Sequence, residues 1–143
     1  MDIIIGSDHA GYEMKEECRL FLENDSRHKV VDAGVYSRES SDYPIIANKV
    51  AEAIASEVYP RGILICGSGI GTSIVANRHK GVRAALCHDL FTARLSRQHN
   101  DANILVMGAR VIGLGLALEM VEIFIETQFE GGRHRKRLDL IDC

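Results

Sequence analysis

Short apolar runs alternate with amphipathic stretches along the whole chain, and no other feature of the sequence restricts the fold as strongly. Residues 2–5, 29–32, 62–66, 82–87 and 103–107 are short, apolar and followed by turn residues. They read as strands buried on both faces. Between them the apolar residues fall at helical spacing: Met14, Cys18, Phe21 and Leu22, then Ile46, Val50, Ala53 and Ile54. Pro44 suits a first helical turn, and Asp89 suits the N-cap of a helix over 90–98. This alternation predicts about five parallel strands with helices on both faces, a Rossmann-like three-layer α/β fold. Neither a repeat nor a linker interrupts it, so residues 1–143 are expected to form one domain that ends in a basic helix from about 131.

The stretch from 113 to 129 departs from the amphipathic rule. Leu114, Leu118, Val121 and Ile125 make one stripe, while Leu116, Met120, Ile123 and Phe124 make other faces apolar as well. A helix that is apolar nearly all round is buried on more than one side. In a chain of 143 residues the second side is expected from another copy, which predicts a homodimer or a pair of such dimers.

Composition removes several classes of function. The apolar fraction of 46% suits a globular core, and a net charge of −3 steers the chain toward neither nucleic acid nor anionic membrane. The most apolar stretch, 114–125, carries Glu119 and Glu122 and is well short of the ~20 residues of a membrane span. Nothing at the amino end resembles a signal peptide. Cys18, Cys66, Cys87 and Cys143 are widely spaced and form no C-x-x-C pair, which argues against a disulfide framework and against zinc. A reducing, cytoplasmic setting without metal or cofactor is expected.

In an open parallel sheet, ligands bind beyond the carboxyl ends of the strands. The residues leaving those ends are Ser7-Asp8-His9, Cys66 with the loop Gly67-Ser68-Gly69-Ile70-Gly71, His88-Asp89, and Gly108-Ala109-Arg110. The glycine loop leads into a short helix over 72–77, so its N–H groups are set to stabilise an anion, either a phosphate or an oxyanion formed during reaction. It is not a Walker A loop, because the terminal lysine is missing. Thr72 stands where a dinucleotide loop needs glycine and where a cysteine phosphatase needs arginine. Cys66 before this loop is either a thiolate, acting as nucleophile or base, or a core cysteine ending a strand. Asp8 and His9 face the same crevice, or serve only the turn. His99 and Asn100 end a helix that returns to the amino side of the sheet, away from Cys66 in the same chain. Arg133 and Arg137 lie one helical turn apart, a spacing that suits a phosphate dianion or a solvated basic end.

Taken together, the chain resembles the B-type ribose-5-phosphate isomerase family, which also contains hexose-6-phosphate isomerases. The matching blocks are Gly6-Ser7-Asp8-His9-Ala10-Gly11, Ser41-Asp42-Tyr43-Pro44, Cys66 through Gly71, Ser96-Arg97-Gln98-His99-Asn100-Asp101-Ala102-Asn103, Gly108-Ala109-Arg110 and Gly131-Gly132-Arg133-His134. The resemblance implies an isomerase acting on a phosphorylated pentose, with Cys66 removing the C2 proton and Ser68 helping to hold it. It implies that the amides of Gly67, Ser68, Gly69, Ile70 and Gly71 stabilise the enediolate. His99 would assist ring opening, and Asp8 would move a proton between hydroxyls. His9, Arg110, Arg133 and Arg137 would hold the phosphate with His134 nearby, while Tyr43 and Asn100 line the sugar. Some relatives carry glycine in place of Cys66 and a glutamate base in place of Thr72, so this chain falls in the cysteine-base group. Serine at 68, where many relatives have threonine, is a departure. Two rivals remain: an isomerase of allose or galactose 6-phosphate, and a non-catalytic phosphosugar-binding module.

Overall fold

The computed structural model describes all residues 1–143. Eleven elements follow in strict succession: β1 (Asp2–Ser7), α1 (Tyr12–Glu23), β2 (Lys29–Gly34), α2 (Tyr43–Ala55), β3 (Arg61–Cys66), α3 (Ile70–Ala76), β4 (Ala84–Leu86), α4 (Leu90–Gln98), β5 (Ile104–Gly108), α5 (Leu114–Glu126) and α6 (Arg133–Ile141). The five strands form one parallel sheet in the order β2-β1-β3-β5-β4. Each predicted strand is present. The edge strand β4 is three residues long rather than six, because only one neighbour holds it and side chains stitch its amino end: Asn103 accepts from the Arg83 N–H at 2.8 Å, and Asn77 from that of Ala84 at 2.9 Å.

Alternation along the strands divides the core between the two faces of the sheet. Ile3, Ile5, Ile63, Ile65, Leu105 and Met107 turn toward α1, α4 and α5. Ile4, Leu64, Ile104 and Val106 turn toward α2 and α3. Pro44 sits in the first turn of α2, and Asp89 caps α4 by accepting the Thr92 N–H at 2.6 Å.

The apolar helix α5 finds more of its cover inside the chain than its sequence suggests. Ala117, Met120, Val121, Phe124 and Ile125 are buried against the sheet, and Leu116, Leu118 and Ile123 pack half-buried beside them. α1 and α4 flank it on either side. Its all-round apolarity follows from lying between two helices as well as on a sheet.

Two features of this topology position the site. Cys66 ends β3, the central strand. The chain leaves β1 toward α1 on one face and leaves β3 toward α3 on the other, so a crevice opens between Ser7 and Cys66 at the carboxyl edge.

Candidate active site

The crevice is a cleft of about 540 Å³ lined by Asp8, Tyr43, Cys66, Gly67, Ser68, Ile70, Gly71, Ile74, Arg110 and Val111. Cys66 is only 4% exposed. Its sulfur accepts the Gly69 N–H at 3.2 Å and lies 3.3 Å from the Thr72 hydroxyl. The loop can curl back on the sulfur because Gly69 has φ of +81°, a conformation in which a Cβ would also stand 2.5 Å from Leu86. Gly71 is constrained differently: a Cβ there would approach the Tyr43 ring within 2.5 Å, so glycine lets Tyr43 lie against the loop. The Gly71 and Thr72 N–H groups open α3 without intrahelical acceptors. Oriented amides and a helix start thus face the cleft beside a sulfur that already accepts one amide. Ser68 makes no hydrogen bond to the Cys66 sulfur; its exposed hydroxyl accepts the Ile70 N–H at 3.2 Å.

The other two thiols of the interior differ from Cys66. Cys18 and Cys87 lie in the core. Burial, helped by Glu17, pushes the Cys18 thiol up to about 12, and burial likewise raises that of Cys87. Neither is poised to ionise.

Asp8 is buried, and one carboxylate oxygen accepts the Gly11 N–H at 3.1 Å. This fixes the turn into α1. His9 is locked to the loop before α2: its N–H donates to the Ser41 hydroxyl, and its Nδ1 accepts the Ser41 N–H, both at 3.1 Å. With Nδ1 accepting, a neutral imidazole carries its proton on Nε2, available as a donor. Arg110 lies over Gly67 and enters none of the ion pairs of the chain.

The remaining predicted residues gather at the opposite edge of the sheet. His99 caps the end of α4, and its ring stacks on His134 with centroids 4.2 Å apart and planes 15° apart. The Asn100 carbonyl accepts Arg83 Nε at 2.9 Å, just before β4. α6 is tied to the same edge by Arg83 Nη1 donating to Asp142 at 2.7 Å. Arg133 and Arg137 are exposed on it, without carboxylate partners. Arg97 holds this region in place: fully buried, it pairs with Asp101 at 2.9 Å and donates to the carbonyls of Ala102 and Thr127. Burial of His134, together with the nearby His99 ring and Arg133, holds its imidazole below the ordinary range, while Glu130 opposes this more weakly. β3 alone separates the two edges by ~17–20 Å.

The sequence by itself assigns no contact to Ser41, Thr72 or Arg97. Ser41 and Arg97 stand inside the blocks that carry the resemblance, which is the signal that marks them. Thr72 is found only by following α3 back to the sulfur.

Two groups of side chains bring three potential metal ligands within 4.8 Å of one another: His99, Glu130 and His134, and Asp25, His28 and Glu126. In the first, the stacked rings lie in nearly parallel planes, so one ion cannot lie in both. In the second, Arg27 bridges the two carboxylates at 2.5 and 3.0 Å. No helix is long and apolar enough to cross a membrane.

A parallel α/β fold with an amide-lined loop at the carboxyl end of its central strand is an architecture that takes anionic ligands in the cleft there. Residues 3–141 match the Ribose/Galactose Isomerase family, and the chain belongs to it. It is 45% identical to ribose-5-phosphate isomerase B of Escherichia coli, across 97% of this chain and 93% of that one. It superposes on the ribose-5-phosphate isomerase B structure of Clostridium thermocellum with a TM-score of 0.96 and 50% identity, covering 99% of this chain and 95% of that one. The Thermotoga maritima ribose 5-phosphate isomerase structure gives 0.95 and 50%, covering 99% and 97%.

Proposed function

We propose that this protein interconverts ribose 5-phosphate and ribulose 5-phosphate, an aldose–ketose isomerisation through an enediolate. The observation that carries this reading is the Cys66 sulfur, held by the Gly69 N–H at 3.2 Å in a cleft shared with Asp8, Tyr43 and Arg110. The reaction needs a base for the C2 proton, a stabilised oxyanion and a route that moves a proton between oxygens. The Cys66 thiolate removes the proton, the amides of residues 67–71 stabilise the enediolate, and Asp8 carries the proton between hydroxyls. His9 and Arg110 bind the phosphate, and Tyr43 lines the sugar.

His99, which opens the furanose ring, and Asn100, Arg133, His134 and Arg137, which complete the sugar and phosphate contacts, stand a strand length from Cys66 in one chain. The reading therefore requires a second copy that turns its amino-edge cluster onto this cleft, giving a homodimer, or a pair of such dimers, with shared sites. The apolar rim of the cleft supports this: Ile70, Ile74 and Val111 are 54%, 52% and 55% exposed, a patch that suits burial against another chain. Four free thiols fit a reducing, cytoplasmic setting.

A coupled assay comparing ribose 5-phosphate, allose 6-phosphate and galactose 6-phosphate tests the function. The pentose is expected to give the highest kcat/KM. Faster turnover of a hexose phosphate would reassign the substrate, and no turnover of any of the three would leave a binding module.

A further inference from the structure

The base assigned above gains and loses a proton in every turnover, and one buried side chain is arranged to respond to it. Thr72 Oγ1 lies 3.3 Å from the Cys66 sulfur and 3.2 Å from the Gly69 carbonyl, to which its hydroxyl donates. Thr72 is fully buried. Its single hydroxyl proton thus has two acceptors within reach. The Gly69 carbonyl does not depend on it, because that oxygen also accepts the Ser73 N–H at 3.1 Å. The hydroxyl can leave Gly69 without orphaning a buried acceptor.

We propose that Thr72 is a positioning residue for Cys66 whose hydroxyl reverses direction with the protonation of the sulfur. As a thiolate, the sulfur accepts two hydrogen bonds, from the Gly69 N–H and from the Thr72 hydroxyl. When the C2–H bond of the sugar breaks, its electron pair enters the enediolate and the proton forms an S–H bond. The hydroxyl then donates to the Gly69 carbonyl and accepts from the thiol. Delivery of the proton to C1 breaks the S–H bond, and the hydroxyl returns to the sulfur. Thr72 in this way stabilises the ionised base without touching the substrate. Ser68, by contrast, makes no hydrogen bond to the sulfur; its oxygen accepts the Ile70 N–H.

The part played in turnover rests on Cys66 being the base, but the coupling itself is readable without turnover. The experiment follows alkylation of the full-length protein by iodoacetamide as a function of pH, read by mass spectrometry on the peptide carrying Cys66, so that exposed Cys143 does not contribute. Thr72→Val keeps the shape and removes the proton donor from a site where water cannot replace it. The midpoint of the alkylation profile should rise by about one pH unit or more, with alkylation near neutrality slowed about tenfold. The kcat/KM profile should move with it. Thr72→Ser should restore the wild-type midpoint. Thr72→Ala must raise it as Val does, which keeps the test decisive if one variant fails to fold by circular dichroism. Unchanged midpoints in Val and Ala would overturn the proposal. Should the midpoints move while Cys66→Ala keeps its turnover, the hydrogen-bond role stands and the assignment of Cys66 as base falls.

Discussion

The two edges of the sheet are built in different ways. At the carboxyl edge, groups are held by backbone: a sulfur pinned by a loop amide, amides aimed by a left-handed glycine, a carboxylate used in a turn. At the amino edge, they are side chains on helix ends, with two guanidiniums exposed and one imidazole stacked on another. Chemistry on a carbon-bound proton requires fixed geometry, and the backbone supplies it. Gripping a phosphate requires charge on side chains that can adapt, and helix ends supply that. On the proposed function the carboxyl edge carries the enediolate chemistry together with His9, Arg110 and Tyr43, and the amino edge adds ring opening by His99 and the adaptable cations of α6.

The sharpest way to break this comparison is to remove the sulfur. Cys66→Ala should lower kcat by about a thousandfold or more while leaving the affinity for a phosphorylated competitive inhibitor near that of wild type. Turnover and inhibitor binding measured on one preparation separate the base from the groups that bind the phosphate. Near-normal turnover would take the base away from Cys66.

Next in size is complementation between the edges. Cys66→Ala and His99→Ala should each be impaired, and subunits mixed after dissociation should regain activity. In an equimolar mixture half the dimers are mixed, and each carries one intact site and one doubly damaged site, so about a quarter of wild-type activity is expected. A mixture that demonstrably exchanges subunits and stays inactive would place both residues in one chain's site.

Much of the fold was legible because apolar period and length separate buried strands from helices. The five runs recovered the strands, and Pro44 and Asp89 marked helix starts where the structure has them. Strand order was not legible, since it depends on which crossover packs on which face. Nor was the cover on α5: its apolar faces looked like an interface, yet α1 and α4 take up much of them. For the site, topology already separated His99 from Cys66, because a helix leaving one edge must end at the other. The stacking of His99 on His134 spans thirty-odd residues and follows from the path of the chain after α5, which no local pattern reports. In the sequence, Thr72 shows only that the loop fits no phosphate-loop motif. Its contact with Cys66 needs the left-handed turn at Gly69 that brings the start of α3 back over the sulfur.

The amino edge is sharpened by Arg137→Ala. One lost charge-assisted contact to phosphate should raise KM by about 10- to 100-fold with little change in kcat. Steady-state kinetics separates the two constants. Unchanged KM would return the C-terminal basic cluster to a solvated surface.

The smallest effect is expected from proton uptake at His134, the buried imidazole that stacks on His99 at the amino edge. The imidazole is 5% exposed, and burial, His99 and Arg133 hold it below its ordinary value of about 6.5. The unfolded chain therefore binds this proton at a higher pH than the folded one does. Stability falls as pH drops through about 6.5, and the loss is complete below the folded value. Glu130, 3.5 Å from Nε2, recovers a little of it by attracting the protonated ring. The carboxylates elsewhere also titrate on acidification, so the informative quantity is the difference between wild type and His134→Gln. Thermal unfolding from pH 7.5 to 5 should show the wild type losing Tm more steeply than the variant across pH 6.5 and below. Parallel slopes would mean that His134 is as easily protonated in the folded protein as in the unfolded chain.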